Sequence, residues 1–174
     1  MPGRIHSLPN QGITQDWVSP PEILETLLMQ FDLDPCCPGT MPWVTAQTMW
    51  SNAEEVSNPV IRQDGLGREW FGRVWLNPPY GRGIETWMRK MRDHGSGVSL
   101  IAARTETKWF EDFVWKGAHS VFFFYGRLHY HRPDGARARG NAGHGSAMAA
   151  YGDAAAIALR EFSLRNSGKY IDLR

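Results

Sequence analysis

Apolar residues along the chain fall into two periods, one of helices and one of strands. Ile23, Leu24, Leu27 and Leu28 recur at i, i+1, i+4 and i+5, one face of a helix. Ser19-Pro20-Pro21-Glu22 ahead of them has the form of a helix start, with serine as N-cap, proline at the first helical position and glutamate three residues on. Phe31-Asp32-Leu33 predicts a short strand ending at Asp34-Pro35, because proline cannot donate to a ladder. Between Cys36 and Gly72, Pro38, Gly39, Pro42, Pro59, Gly65 and Gly67 break any long element. Arg73-Val74-Trp75-Leu76 predicts a strand closed by Asn77-Pro78-Pro79-Tyr80-Gly81. Ile84, Trp87, Met88 and Met91 then predict a helix over residues 83–93. Residues 97–102 predict a buried strand, and Thr107 the N-cap of a helix reaching residue 115. Residues 121–124 predict another buried strand, with residues 128–130 as its hairpin partner. Residues 146–151 predict a last core strand, and residues 154–160 fit either helix or strand.

Strands alternating with helices argue for an α/β fold, a mostly parallel sheet flanked by helices on both faces. No repeat and no sharp boundary divides the chain. Residues 1–15, rich in proline and glycine, read as an irregular N-terminal arm, and residues 16–174 as one compact domain. With 42% hydrophobic and 21% charged residues in 174, wholesale disorder is excluded and a real core is affordable. No apolar run nears the roughly 20 residues of a membrane span, and nothing near the N-terminus resembles a signal peptide. The two cysteines, Cys36 and Cys37, are adjacent and cannot staple a secreted scaffold. The expectation is a cytoplasmic protein with no membrane association.

The net charge of +1 creates no global field, but its distribution is uneven. Arg127, Arg132, Arg137 and Arg139 fall in a glycine-rich stretch whose one acid is Asp134. Such a stretch reads either as a mobile solvated loop or as a phosphate-binding segment. His129 and His131 share one face of it, a better match to phosphate contact than to a metal pair. Cys36-Cys37 has no second Cys or His pair at ligand spacing, so no metal site is expected.

In open α/β sheets, ligands bind at the carboxyl ends of strands. Two such ends are polar and rigid here: Asp34-Pro35-Cys36 and Asn77-Pro78-Pro79-Tyr80. An exocyclic base amine is a poor nucleophile because its lone pair is conjugated into the ring. A side-chain oxygen on Asn77 and a backbone carbonyl on Pro78 can accept both amine protons and draw that nitrogen towards a tetrahedral geometry. Pro78 and Pro79 fix φ at consecutive residues, so these acceptors lose little entropy on binding. Tyr80 offers a face for stacking a base taken out of a duplex. The same run also serves as an ordinary strand-terminating turn.

Several blocks in order carry a family resemblance: Asp16-Trp17-Val18-Ser19-Pro20-Pro21, Leu33-Asp34-Pro35-Cys36, Asp64-Gly65-Leu66, Trp75-Leu76-Asn77-Pro78-Pro79-Tyr80-Gly81, Arg104-Thr105-Glu106-Thr107-Lys108-Trp109-Phe110 and Gly126-Arg127-Leu128. With these the sequence resembles the small phage-type, Dam-like DNA adenine-N6 methyltransferases. The resemblance implies a Rossmann-like, S-adenosylmethionine-dependent methyltransferase acting on double-stranded DNA. It implies that Asn77, Pro78, Pro79 and Tyr80 hold the target adenine, and that Trp17, Ser19, Pro20, Asp34, Pro35, Cys36 and Asp64 form the cofactor site. Asp34 then sits near the methionine part and Asp64 at the adenosine end. Arg127, Arg132, Arg137 and Arg139 are left to grip DNA phosphates. The chain departs from the family where Ser19-Pro20 replaces Thr-Pro, where Glu106 replaces aspartate, and where Pro38-Gly39 is all that remains of the glycine-rich cofactor loop. That shortening leaves open an inactive DNA- or protein-binding module. Transfer to another amine, cytosine N4 or one in RNA, stays open too, as do homodimerisation and a role in restriction-modification.

Overall fold

The structure, a computed structural model, describes residues 17–174; the expected arm over residues 1–15, and Asp16, lie outside them. The parallel half of the molecule comprises α1 (Pro21–Leu27), β1 (Leu33–Asp34), β2 (Thr48–Ser51), β3 (Val60–Arg62), β4 (Val74–Leu76), α2 (Ile84–His94) and β5 (Gly97–Ala102). After it come α3 (Lys108–Phe110), which runs directly into a π-helical segment (Glu111–Trp115), then β6 (Ser120–Phe124), β7 (Ser146–Tyr151), α4 (Asp153–Ser163) and β8 (Gly168–Asp172). One eight-stranded sheet has the order β3-β2-β1-β4-β5-β7-β6-β8. From β3 to β5 every pairing is parallel. β7 enters antiparallel between β5 and β6, and β8 closes the far edge antiparallel to β6.

Period-two alternation divides the core between the two faces of the sheet. Val74 and Leu76 point towards α2 and the π segment, whereas Trp75 between them joins Ile23, Leu27, Leu159 and Phe162 under α1 and α4. Helices thus cover both faces, which is why β5 and β7 are buried at every position. α2 buries Ile84, Trp87, Met88 and Met91 as a single stripe. It stops at Gly95, whose left-handed backbone lets its N–H reach the Met91 carbonyl at 2.9 Å. Gly97 opens β5 where a Cβ would overlap the Val74 carbonyl oxygen, so the β4–β5 approach requires glycine.

Several local expectations are corrected. Ser19 does not cap α1: Pro20 occupies the N-cap position, and the buried Ser19 hydroxyl accepts the Trp75 indole N–H at 3.2 Å. Leu28 is not on the buried face but is the left-handed C-cap, 71% exposed. The stretch from Cys36 to Gly72 holds no long element, as expected, but it carries two short strands, β2 and β3, that the pattern did not locate. Thr107 takes the N-cap position, yet its hydroxyl donates to the Arg104 carbonyl at 2.7 Å rather than to the helix. Residues 128–130 do not pair with β6, because β7 and β8 already occupy both of its edges. β7 is not the last strand, and residues 154–160 resolve as helix α4.

Candidate active site

The carboxyl ends of β1 and β4 are adjacent in the sheet, and the chain departs from them in opposite directions: β1 leads to β2 on one side, β4 to β5 on the other. In an open α/β sheet this reversal leaves a crevice above the strand ends. A cavity of about 300 Å³ occupies this place. Trp17, Pro35, Cys36, Asn77, Pro78, Pro79 and Tyr80 are among the residues that line it. Sequence reasoning had singled out all seven of these residues. Ser51 and Asn52 also reach it from the end of β2, and Trp87 from α2. The sequence reading missed Ser51 and Asn52 because β2 was not recognised; the rule of looking at strand ends would otherwise have found them.

Asn77 is held from two sides. Its side-chain Nδ2 donates to the Trp17 carbonyl at 3.0 Å, and its own carbonyl accepts the Cys36 thiol at 3.4 Å. The Tyr80 hydroxyl stands 3.4 Å from Asn77 Oδ1 and 2.6 Å from the Tyr130 hydroxyl. No hydrogen bond among the described residues engages the Pro78 carbonyl. Burial, reinforced by the neighbouring Tyr130, raises the Tyr80 pKa well above the phenolic value, so its hydroxyl stays neutral.

Asp34 lies directly behind Pro35 and Cys36 and is 3% exposed. Its Oδ2 accepts the Thr45 hydroxyl at 2.6 Å and its Oδ1 the Cys36 N–H at 3.2 Å. Burial pushes its carboxyl up to about 6, against the lowering effect of these two hydrogen bonds. The same burial, with Asp34 alongside, raises the Cys36 thiol, which therefore stays protonated and is not an activated nucleophile. Ser19 and Pro20 are buried under this region rather than on the cavity wall.

Asp64 sits apart, on an exposed turn. Its Oδ1 accepts the Leu66 N–H at 3.0 Å and its carbonyl the Arg68 N–H at 3.1 Å. Lys90 braces that turn by donating to the carbonyls of Leu66 and Arg68, while Trp70 donates to Gly65 at 2.6 Å. Asp64 is not among the residues lining the 300 Å³ cavity.

The basic stretch is folded. His131 and Val18 exchange backbone hydrogen bonds at 2.9 and 3.1 Å, and the Arg132 and Ala138 N–H groups close a hairpin onto Ala136 and Tyr130. Arg132 pairs with Asp134 at 2.6 Å, and Arg127 reaches the Ala142 carbonyl at 3.4 Å. Arg137 and Arg139 are exposed and form no ion pair with the described residues. The His131 ring packs edge-on against Trp43, 5.0 Å between centroids. Among the described residues no cluster of His, Cys, Asp or Glu could hold a metal ion, and no helix is long and apolar enough to cross a membrane.

A family model described as DNA N-6-adenine-methyltransferase (Dam) matches residues 11–154. The chain belongs to this family. No curated protein and no solved structure matches it significantly.

Proposed function

We propose that the protein transfers a methyl group from S-adenosylmethionine to N6 of an adenine extruded from DNA. The observation that carries this reading is the fixed Asn77 amide at the mouth of the crevice between β1 and β4. A strand order beginning 3-2-1-4-5 supports a Rossmann-like description of the domain.

The cavity fits the cofactor chemically. Its 300 Å³ suits a ligand of that class, Trp87 and Tyr80 supply aromatic surface, and Asn52 and Ser51 supply polar groups at the end of β2. Asp34 lies buried behind Pro35 and Cys36 of the wall, where its ionised carboxylate would favour a cationic ligand. S-adenosylmethionine, when bound, supplies an electrophilic methyl on a sulfonium, whose carbon–sulfur pair stays on sulfur as the nitrogen–carbon bond forms. The protein's part is positioning. Asn77 Oδ1 and the Pro78 carbonyl accept the two amine protons and localise the nitrogen lone pair. Tyr80 stacks the ring, and the surplus proton on the methylated nitrogen leaves to water. No covalent enzyme intermediate is required. Arg127, Arg132, Arg137 and Arg139 hold phosphates of the flanking strand.

The test is incubation of the protein with methyl-labelled S-adenosylmethionine and adenine-containing duplexes, followed by digestion to nucleosides. Labelled N6-methyladenine is the expected product. Label in cytosine or protein would replace the acceptor in this reading, and no label in any substrate would reject it.

A further inference from the structure

Asp34 is the only fully buried carboxyl among the described residues, and no ion pair among them includes it. A buried carboxylate without a cation stays charged only as far as hydrogen bonds replace the water it has lost. Two do so here. The Cys36 N–H serves Oδ1 at 3.2 Å, and the Thr45 hydroxyl serves Oδ2 at 2.6 Å. The first comes with the turn that follows β1. The second is brought from eleven residues away by a side chain that no sequence motif marks.

The chain around Thr45 fixes where that hydroxyl points. Thr45 is buried in the connection between β1 and β2. Just beyond it, the Gln47 and Thr48 N–H groups donate to the Phe31 and Asp32 carbonyls, each at 3.0 Å, which ties the connection to the approach of β1. The Thr45 N–H faces the sulfur of Met49 at 3.4 Å, and its hydroxyl lies 3.3 Å from the same atom. The hydroxyl proton therefore has two acceptors, a weak thioether and a strong carboxylate. It goes to the carboxylate and favours the charged form of the acid. Once Asp34 is protonated, the hydroxyl can turn to accept from the carboxyl and donate to the sulfur. Burial and this hydrogen bond thus oppose each other, and a value of about 6 is their balance. From β2 the register partner of Asp34 is the apolar Met49. The titratable groups beside Asp34 are the Cys36 and Cys37 thiols, both raised by burial and by Asp34 itself, so they stay neutral while Asp34 titrates.

This contact reaches the cavity wall. The carboxylate that Thr45 orients also holds the Cys36 peptide, and the Cys36 thiol donates to the Asn77 carbonyl at 3.4 Å. We infer that Thr45 is a positioning residue of the proposed cofactor site: its hydroxyl keeps the Asp34 carboxylate charged and aimed at the Cys36 peptide, and so sustains the hold of the site on a cationic ligand. The identity of that ligand rests on the proposed methyl transfer, whereas the coupling of Thr45 to Asp34 can be measured with no ligand present.

The experiment uses the full chain, with Thr45→Val to remove the hydroxyl at nearly constant volume and Thr45→Ser to restore it. Carbon-13 NMR follows the Asp34 carboxyl, identified as the signal missing in Asp34→Asn, from about pH 4 to pH 8. Calorimetry follows S-adenosylmethionine affinity over the same range, and a thermal melt reports folding. In the unaltered protein affinity should fall as pH drops through the Asp34 titration, because a neutral acid no longer attracts a cation. Thr45→Val should move both midpoints up by at least about one unit, the ordinary worth of a hydrogen bond to a charged group. Thr45→Ser should return both, and Thr45→Ala should repeat the shift should valine disturb the melt. A carboxyl midpoint unmoved in a natively melting variant without the hydroxyl would overturn the inference. So would an affinity lowered equally at every pH, the mark of a merely structural role. A carboxyl midpoint that moves, while the unaltered protein binds no S-adenosylmethionine, would keep the coupling and reject the methyl-transfer reading.

Discussion

The side-chain amide of Asn77 donates to the backbone carbonyl of Trp17 at 3.0 Å, across sixty positions of sequence. Only the nitrogen end of a carboxamide can donate to a carbonyl, so this contact fixes which way the group points. Oδ1, which the Tyr80 hydroxyl reaches at 3.4 Å, has a second lone pair for an incoming donor. Val18, the next residue, pairs with His131 of the basic hairpin. A single short segment therefore links the acceptor group to the arginine-bearing hairpin.

Tyr80 separates the roles of ring and hydroxyl. A stacked base is worth about 1–3 kcal/mol. Tyr80→Ala should therefore raise the KM for duplex DNA roughly five- to 150-fold in steady-state transfer. Tyr80→Phe keeps the stacking face but frees Tyr130, so it should retain most DNA affinity while turnover falls. Equal KM in the two variants would contradict a stacking role.

The Asp34 carboxyl predicts a pH signature. Its folded value of about 6 exceeds the free value of 3.8, so the folded state holds the proton more tightly between them. Stability should fall as pH rises through that window, and the penalty, up to about 3 kcal/mol, is complete above it. Asp34→Asn can keep both local contacts, because the Thr45 hydroxyl can turn to accept. Denaturant midpoints should show the variant more stable than the unaltered protein near pH 7.5, with the difference vanishing near pH 4. The same variant should weaken binding of the cationic cofactor.

Arg137 and Arg139 predict a salt effect. Each phosphate contact contributes about one unit to the slope of log affinity against log salt. Arg137→Ala should reduce the slope measured by fluorescence anisotropy by about one, similarly for duplexes of different sequence. Arg132, already paired with Asp134, should change it less.

What could be read in the sequence follows from how local each signal is. β5 and α2 carry continuous apolar patterns, and both emerged close to where the periodicity put them. The Asn77–Tyr80 turn was equally visible, since two prolines after a Val-Trp-Leu strand leave few alternatives. β2 was hidden because its four residues alternate half-buried and buried positions without an apolar run. β8 was hidden because it lies at a sheet edge and none of its residues is fully buried. Ser19 misled because its hydroxyl serves the Trp75 indole fifty-six residues away, a long-range contact that overrides a local capping signal. In the basic stretch only residues 128–130 suggested order, as a partner of β6; the hairpin that forms instead is closed by its own backbone bonds and by pairing with Val18, contacts that leave no periodic pattern.

The most direct measurement compares the unaltered protein with Asn77→Ala in single-turnover transfer from labelled S-adenosylmethionine to duplex DNA, alongside cofactor calorimetry and a thermal melt. Loss of one preorganised polar contact of this kind typically costs about 10²–10³ in rate. The predicted result is labelled N6-methyladenine from the unaltered protein, at least about 100-fold less from the variant, and unchanged cofactor affinity and melting. Transfer undiminished in the variant, or lost only together with the fold, would contradict the role assigned to this amide.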